Sequence, residues 1–156
     1  MFIKEFYSNL YAIDTSVPRF TTVFRGTRIV VTPDFVSKVF HIPRVDHLDY
    51  PSHPRLTSIS RDELTSLFYE KAMLWGGTLN FSTNKFTKGP RFLNMVMIFI
   101  LTPQSHYNTI TEPRARLLLS FMEGLFIDCP SHMIDSIMCE RKSIERPSIR
   151  EKRKRA

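Results

Sequence analysis

The sequence predicts a mainly α-helical fold, α+β at most: a single domain over residues 1–140, one small β-hairpin near residues 21–31, and a disordered basic tail over residues 141–156. Most segments repeat their apolar residues at helical spacing, and β-branched residues concentrate around the hairpin. The chain has 156 residues and is 42% hydrophobic, enough to bury one sizeable core. Of the net charge of +7, +6 belongs to the tail, because residues 141–156 hold 8 Lys and Arg against 2 Asp and Glu, whereas residues 1–140 hold 14 against 13.

The first third of the chain is predicted to place the hairpin between two helices. Met1–Ile13 forms the first helix, with one apolar face made by Phe2, Phe6, Leu10 and Ile13. Its abrupt apolar start favours a fragment of a longer chain. Thr21–Val31 forms the hairpin, whose turn glycine, Gly26, supplies a positive φ. Thr32 caps the second helix, which Pro43 ends.

The middle of the chain is predicted to alternate loops with helices. Residues 44–59 hold two prolines and few periodic apolar residues, which is typical of a surface loop. Ser60 and Glu63 match a capping box and predict a helix start. Residues 78–88 form an extended connector, and residues 91–101 form an apolar helix that packs on the central helix.

The central helix is the most specific prediction. Thr111 is its expected N-cap, with Pro113 in the first turn. The apolar residues after it extend nearly all round the helix, which requires burial by several neighbours. Pro130 interrupts the pattern, and Ser131 is expected to cap a final short helix.

Several short motifs resemble a known family. At the start these are Glu5-Phe6-Tyr7-Ser8-Asn9-Leu10, Arg25-Gly26 and Ile42-Pro43; at the end they are Pro103-Gln104-Ser105-His106, Thr111, Arg114-Ala115, Leu117-Leu118, Glu123-Gly124 and Ile127. Together they resemble the plant domain family named "putative plant transposon protein" over roughly residues 1–140. The resemblance implies descent from a mobile element. It does not imply transposase activity, since these are packing and turn residues.

Candidate catalytic and metal-binding residues do not form a recognised site. Cys129, His132 and Cys139 have ligand types for zinc without a fourth partner nearby in sequence, and His106 with Cys129 lacks the flanking signature of a thiol enzyme. The carboxylates that a metal-dependent nuclease would need are present by type only: Asp62, Glu63, Glu123, Asp128 and Asp135. We therefore predict no catalytic residue, no metal, no cofactor and no enzymatic activity.

The basic tail is the candidate contact site. Its residues for nuclear import or nucleic-acid contact are Arg141, Lys142, Arg150, Lys152, Arg153, Lys154 and Arg155. Solvated charge that keeps the domain soluble explains the same residues equally well. Two cysteines without a signal peptide favour an intracellular, reducing location, and the nucleus if the cluster is an import signal. The longest apolar run, residues 92–101, is about half the ~20 residues that a membrane span needs.

These observations leave three hypotheses about function open. The first is a non-enzymatic, element-derived module that binds a protein or a nucleic acid. The second is the remnant of a transposon-encoded nuclease or transposase, and the third is a degenerate fragment without activity. Convergent acidic or Cys and His side chains in a cleft would favour the second. The sequence does not define the partner or the oligomeric state.

Overall fold

A computed structural model describes residues 2–14, 16–71, 73–75, 80–101 and 108–145. The helices in these ranges are α1 Phe2–Ser8, α2 Pro33–Phe40, α3 Pro54–Ser58, α4 Arg61–Phe68, α5 Lys88–Ile100, α6 Glu112–Met122 and α7 Cys129–Glu145. The strands are β1 Tyr11–Asp14, β2 Arg19–Phe24, β3 Thr27–Val31, β4 Asn80–Ser82 and β5 Thr109–Thr111. A 3₁₀ turn spans Thr83–Lys85. Within the described ranges, no helix is both long enough and apolar enough to cross a membrane.

The chain divides into two compact units. The terminal unit comprises Met1–Arg44 and Cys129–Ala156, and the central unit comprises Val45–Asp128.

The terminal unit is built on an antiparallel sheet of order β1-β2-β3. Strands β2 and β3 form the predicted hairpin, in which Phe24 pairs with Thr27. Between them, Arg25 and Gly26 have φ of 50° and 77°, the positive values that a two-residue hairpin turn of type I′ requires. The hairpin prediction is therefore confirmed.

One face of this sheet carries the core of the terminal unit. Its buried members come from the sheet, α2, α7 and the link between α1 and β1: Leu10, Phe20, Val31, Val36, Ile134 and Met138. Phe6 of α1 packs edge-on against Phe20, with ring centroids 5.9 Å apart. Thr32 accepts a hydrogen bond from the Phe35 backbone at 3.2 Å, so its predicted capping role is confirmed.

The central unit buries α6 against α3, α4, α5 and β5. Leu118 is fully buried and its neighbours Leu117 and Leu119 are at most 2% exposed, so the prediction of a core helix is confirmed. The capping box of α4 is also confirmed, because the Ser60 hydroxyl accepts from the Glu63 backbone at 3.2 Å and the Glu63 carboxylate accepts from the Ser60 backbone at 2.8 Å. Around β4 lies an aromatic cluster formed by Phe68, Tyr69, Trp75, Phe81 and Phe86.

The prediction of a mainly α fold with a single hairpin is wrong, because the described residues form an α+β fold with two antiparallel sheets. Helix α1 ends at Ser8, and β1, Tyr11–Asp14, occupies the end of the segment that was predicted to be helical up to Ile13. The Asn9 side-chain amide donates to the Val23 carbonyl at 2.9 Å at this change of direction. Strand β1 then pairs with the next strand, β2, and helical spacing within residues 1–13 does not reveal this pairing.

The second sheet was also missed. Strand β4 pairs with β5 through Phe81 and Ile110, both buried. Thr111 does precede α6, as predicted, but its side chain makes no capping hydrogen bond.

Further differences concern the predicted loop and the C-terminal segment. Residues 44–59 include helix α3, which begins after His53 with Pro54 in its first turn. Helix α7 starts at Cys129 and continues to Glu145, so Ser131 does not cap it. Residues 141–145, assigned from the sequence to a disordered tail, are therefore helical, while residues 146–156 lie outside the described ranges.

Candidate interaction surface

Helix α5 exposes an apolar face on the central unit. Its inner side packs on α6 and buries Asn94, Met97 and Ile98. The opposite side carries a second set of large apolar residues, which we call the α5 face: Phe92, Met95, Val96, Phe99 and Ile100. These residues fall at positions i, i+3, i+4, i+7 and i+8, so they form one stripe along the helix.

The α5 face is large for an exposed surface. Phe92 and Phe99 are 65% and 66% exposed, and the other three residues are 37–52% exposed. With roughly 200 Å² per aromatic side chain and somewhat less for the others, about 500 Å² of apolar area is accessible. The largest apolar patches on monomeric proteins measure ~300–600 Å² and often serve as interaction sites. The α5 face is in the upper part of this range.

A cavity of about 160 Å³ adjoins the α5 face, and Met95 and Phe99 belong to both. Asn94 also lines it and is only 3% exposed. The Asn94 amide oxygen is buried and has no hydrogen-bond partner among the described residues. The cavity therefore adjoins one buried amide oxygen that lacks a donor among the described residues.

A second polar feature of the central unit is an ion network at the start of α6. Glu112 accepts from Arg116 at 2.7 Å and from Arg61 at 2.6 Å. The Arg116 guanidinium also donates to the carbonyls of Leu56 and Ile59, the latter at 3.1 Å. These contacts join α6 to the segment around α3 and to α4.

A cavity of about 240 Å³ lies beside this network, lined by Tyr50, Pro51, Pro113 and the two network residues Glu112 and Arg116. Both charged groups of its lining already pair with each other, and Arg116 also holds two backbone carbonyls. We therefore interpret the network as structural.

The network sets the ionisation of Glu112. The hydrogen bond from Arg116 is the main reason that the pKa of Glu112 lies below its ordinary value; partial burial opposes this, and Arg61 adds to it. A carboxylate with a lowered folded-state pKa stabilises the fold above its unfolded-state pKa of ~4.3, and this contribution is lost as the pH falls through the folded-state pKa.

We expect Glu112→Gln to lower the free energy of unfolding at pH 7, and the difference from the wild type to shrink as the pH falls toward 3. At low pH the protonated glutamic acid resembles glutamine, since neither is charged. The measurement is urea unfolding followed by fluorescence of Trp75, which is the only tryptophan and is buried in the central unit. A difference that stays constant with pH would contradict the assigned role of Glu112.

A scan against protein-family models matches residues 1–149 to the family described as "putative plant retrotransposon-related domain". The chain belongs to this family. The match confirms the resemblance seen in the sequence motifs. Comparison with curated proteins finds no significant match, and neither does comparison with solved structures.

The basic candidates of this retrotransposon-related domain fall in two places. Arg141 and Lys142 belong to the last turns of α7. The other five, Arg150, Lys152, Arg153, Lys154 and Arg155, lie outside the described ranges. Nucleic-acid contact and nuclear import therefore remain predictions.

The other candidates of the retrotransposon-related domain were the possible zinc ligands and the pair of a cysteine and a histidine. Cys129, His132 and Cys139 all lie on α7, and His106 is outside the described residues. Across the residues described, there is no group of three or more His, Cys, Asp or Glu side chains that could hold a metal ion.

Sequence reasoning missed both the α5 face and the Arg116 network. For the network, a signal was present: Glu112 and Arg116 have the i, i+4 spacing of a helical ion pair. For the α5 face, the signal was the continuous apolar run of residues 92–101, which is too wide for one buried side of a helix.

Proposed function

We propose that this retrotransposon-related domain is a non-enzymatic interaction module that binds a protein partner through the α5 face. The observation that carries this proposal is the stripe of five large apolar side chains, 37–66% exposed, on a helix whose opposite side is buried. Aromatic residues and Met are enriched at protein interfaces, whereas charged residues are depleted from interface cores. The α5 face has this composition.

The energy of burying the α5 face is adequate for binding. At ~25 cal/mol per Å², removing about 500 Å² of apolar area from water is worth roughly 12 kcal/mol before the costs of association. Those costs are about 4–15 kcal/mol, so the surface supports reversible rather than permanent binding unless polar contacts add to it.

Three of the candidate carboxylates, all in the central unit, have structural roles in the fold, which supports a non-enzymatic function. Asp62 accepts from the Trp75 backbone at 2.8 Å, and Glu63 completes the capping box of α4. Glu123 pairs with Arg55 at 3.2 Å. Each carboxylate therefore has a local structural partner, and a shared metal ion is not needed to explain any of them.

Affinity capture from plant cells tests the proposal with three proteins: the wild type, a Phe92→Ser/Phe99→Ser variant, and Phe126→Ser as the matched control. Phe126 also belongs to the central unit and is 61% exposed, but it lies outside α5. We expect a protein partner that the wild type and the control retain and the α5 variant loses, with direct binding then measured between purified proteins. An identical set of captured proteins for all three would refute the α5 face as the binding surface.

Nucleic-acid binding through the C-terminal segment is the second candidate function. It is favoured by the net charge of +6 that residues 141–156 carry. A segment making about four to six phosphate contacts gives sequence-independent binding to duplex DNA with a log–log salt slope of roughly −4 to −5. The test compares the full chain with a chain ending at Glu145, which preserves α7. Equal affinity and equal slope would exclude the segment after Glu145.

Nuclear import is tested separately. Replacing Lys152, Arg153, Lys154 and Arg155 by alanine in a fluorescent fusion should abolish nuclear enrichment in plant cells. An unchanged distribution would mean that this cluster is solvated charge only.

A further inference from the structure

We infer that the partner of the α5 face is a second copy of the same chain, with the two α5 helices packed antiparallel about a two-fold axis. The axis passes between Met95 and Val96. This inference rests on the proposed function and names the partner of the same surface.

The spacing of the α5 face is self-complementary. Phe92 and Phe99 lie at equal distances along the helix from the point between Met95 and Val96. In an antiparallel pair about this point, Phe92 faces Phe99 of the second copy at both ends, and Met95 faces Val96 of the second copy at the centre. A two-fold interface requires a surface that matches itself in this way.

The charges of α5 favour the antiparallel arrangement over the parallel one. The first turn carries Lys88 and no acidic residue, and the last turn has no basic residue. The dipole of an isolated α5 is therefore not compensated at either end. In the antiparallel pair, Arg91 is level with Ile100 of the second copy along the helix axis and brings a positive charge near its negative C-terminal end. A parallel pair would instead place Lys88 next to Lys88, and Arg91 next to Arg91.

The area of the α5 face agrees with a weak dimer. Two copies would bury about 1,000 Å² in total, near the lower limit for specific interfaces. The expected dimer is reversible and depends on protein concentration. Asn94 and its cavity lie beside the seam, on the side of Met95 and Phe99, and are not required for pairing.

Sedimentation velocity of the full chain over a wide concentration range tests the inference. We expect a monomer–dimer equilibrium whose dissociation constant rises at least ~30-fold in Phe92→Lys, and likewise in Phe99→Glu, since each removes an aromatic anchor from both ends of the pair. The control Phe126→Lys should leave the equilibrium unchanged. Circular dichroism and Trp75 fluorescence must match the wild type, so that loss of pairing is not confused with unfolding.

The double variant Phe92→Lys/Phe99→Glu tests the geometry. In the antiparallel pair each introduced lysine faces an introduced glutamate of the other copy, so dimerisation should recover relative to either single variant. In a parallel pair like charges would meet, and the double variant would be at least as monomeric as the single ones. Failure to recover overturns the antiparallel arrangement.

A wild type that is monomeric at every concentration overturns the dimer itself. If the Phe92→Ser/Phe99→Ser variant nevertheless loses a different captured protein, the proposed function stands and only its self-association fails. If neither dimerisation nor capture depends on the α5 face, both proposals fail.

Discussion

Leu118→Asp is expected to unfold the central unit. Leu118 is fully buried in α6, between Leu117 and Leu119, which are almost as deeply buried. An aspartate there would place a carboxylate in an apolar core without a partner, at a cost of several kcal/mol. Because the whole stability of a small domain is only ~5–15 kcal/mol, a loss of this size removes most or all of it.

Fluorescence of Trp75 provides the measurement, because Trp75 is 5% exposed and its ring lies 4.1 Å, centroid to centroid, from that of Phe81 in the same unit. We expect the emission of Leu118→Asp to shift to the red in the absence of denaturant, together with loss of helical circular dichroism. Met122→Asp is the matched control, since Met122 is one turn further along α6 but 38% exposed, and it should retain the wild-type emission. Native fluorescence in Leu118→Asp would show that α6 is not the core of the unit.

The local features of the fold were predictable from sequence. The capping box at Ser60, the cap at Thr32 and the turn at Arg25-Gly26 depend on side-chain chemistry or backbone freedom within a few residues. The burial of α6 followed from the continuous apolar surface around it. In each case the information lies inside one short segment.

Strands β1, β4 and β5 were less predictable because strand pairing depends on residues outside each segment. Strands β4 and β5 are three residues each, and the segments they join lie far apart in the chain. Strand β1 follows α1 directly and contains apolar residues that also fit the helical period. The residues of β1 fit both a helical and an extended pattern, and the pairing with β2 makes the segment a strand.

The two candidate interaction sites also differ in how far the sequence predicted them. The basic cluster of the tail could be read from charge alone, although it lies outside the described residues. The apolar run of α5 indicated more apolar surface than one buried side needs, but it did not show which side is exposed. Phe92 and Met97 are both apolar, and only the packing of α5 on α6 leaves the first exposed and the second buried. Amphipathic patterns reveal a surface when its other side is polar, and α5 is apolar on both sides.

Replacing Arg116 is expected to cause the second largest loss of stability. Its guanidinium donates to the carbonyls of Leu56 and Ile59 and to Glu112, and the side chain is 24% exposed. Arg116→Met keeps the apolar stem but leaves these acceptors without their donor. Unpaired, partly buried acceptors and a carboxylate with one fewer partner should together cost about 2–3 kcal/mol.

Arg116→Lys separates the effect of the positive charge of residue 116 from the effect of the hydrogen-bond geometry of its guanidinium. Lysine retains the positive charge beside Glu112, but its single ammonium cannot span both carbonyls and the carboxylate as the planar guanidinium does. We expect urea unfolding, followed by Trp75 fluorescence, to place Arg116→Lys between the wild type and Arg116→Met. In a double-mutant cycle with Glu112→Gln, the combined loss should be smaller than the sum of the single losses, because both substitutions remove the same contact. If the losses add, Arg116 stabilises the central unit through the two carbonyls, and its pairing with Glu112 contributes nothing.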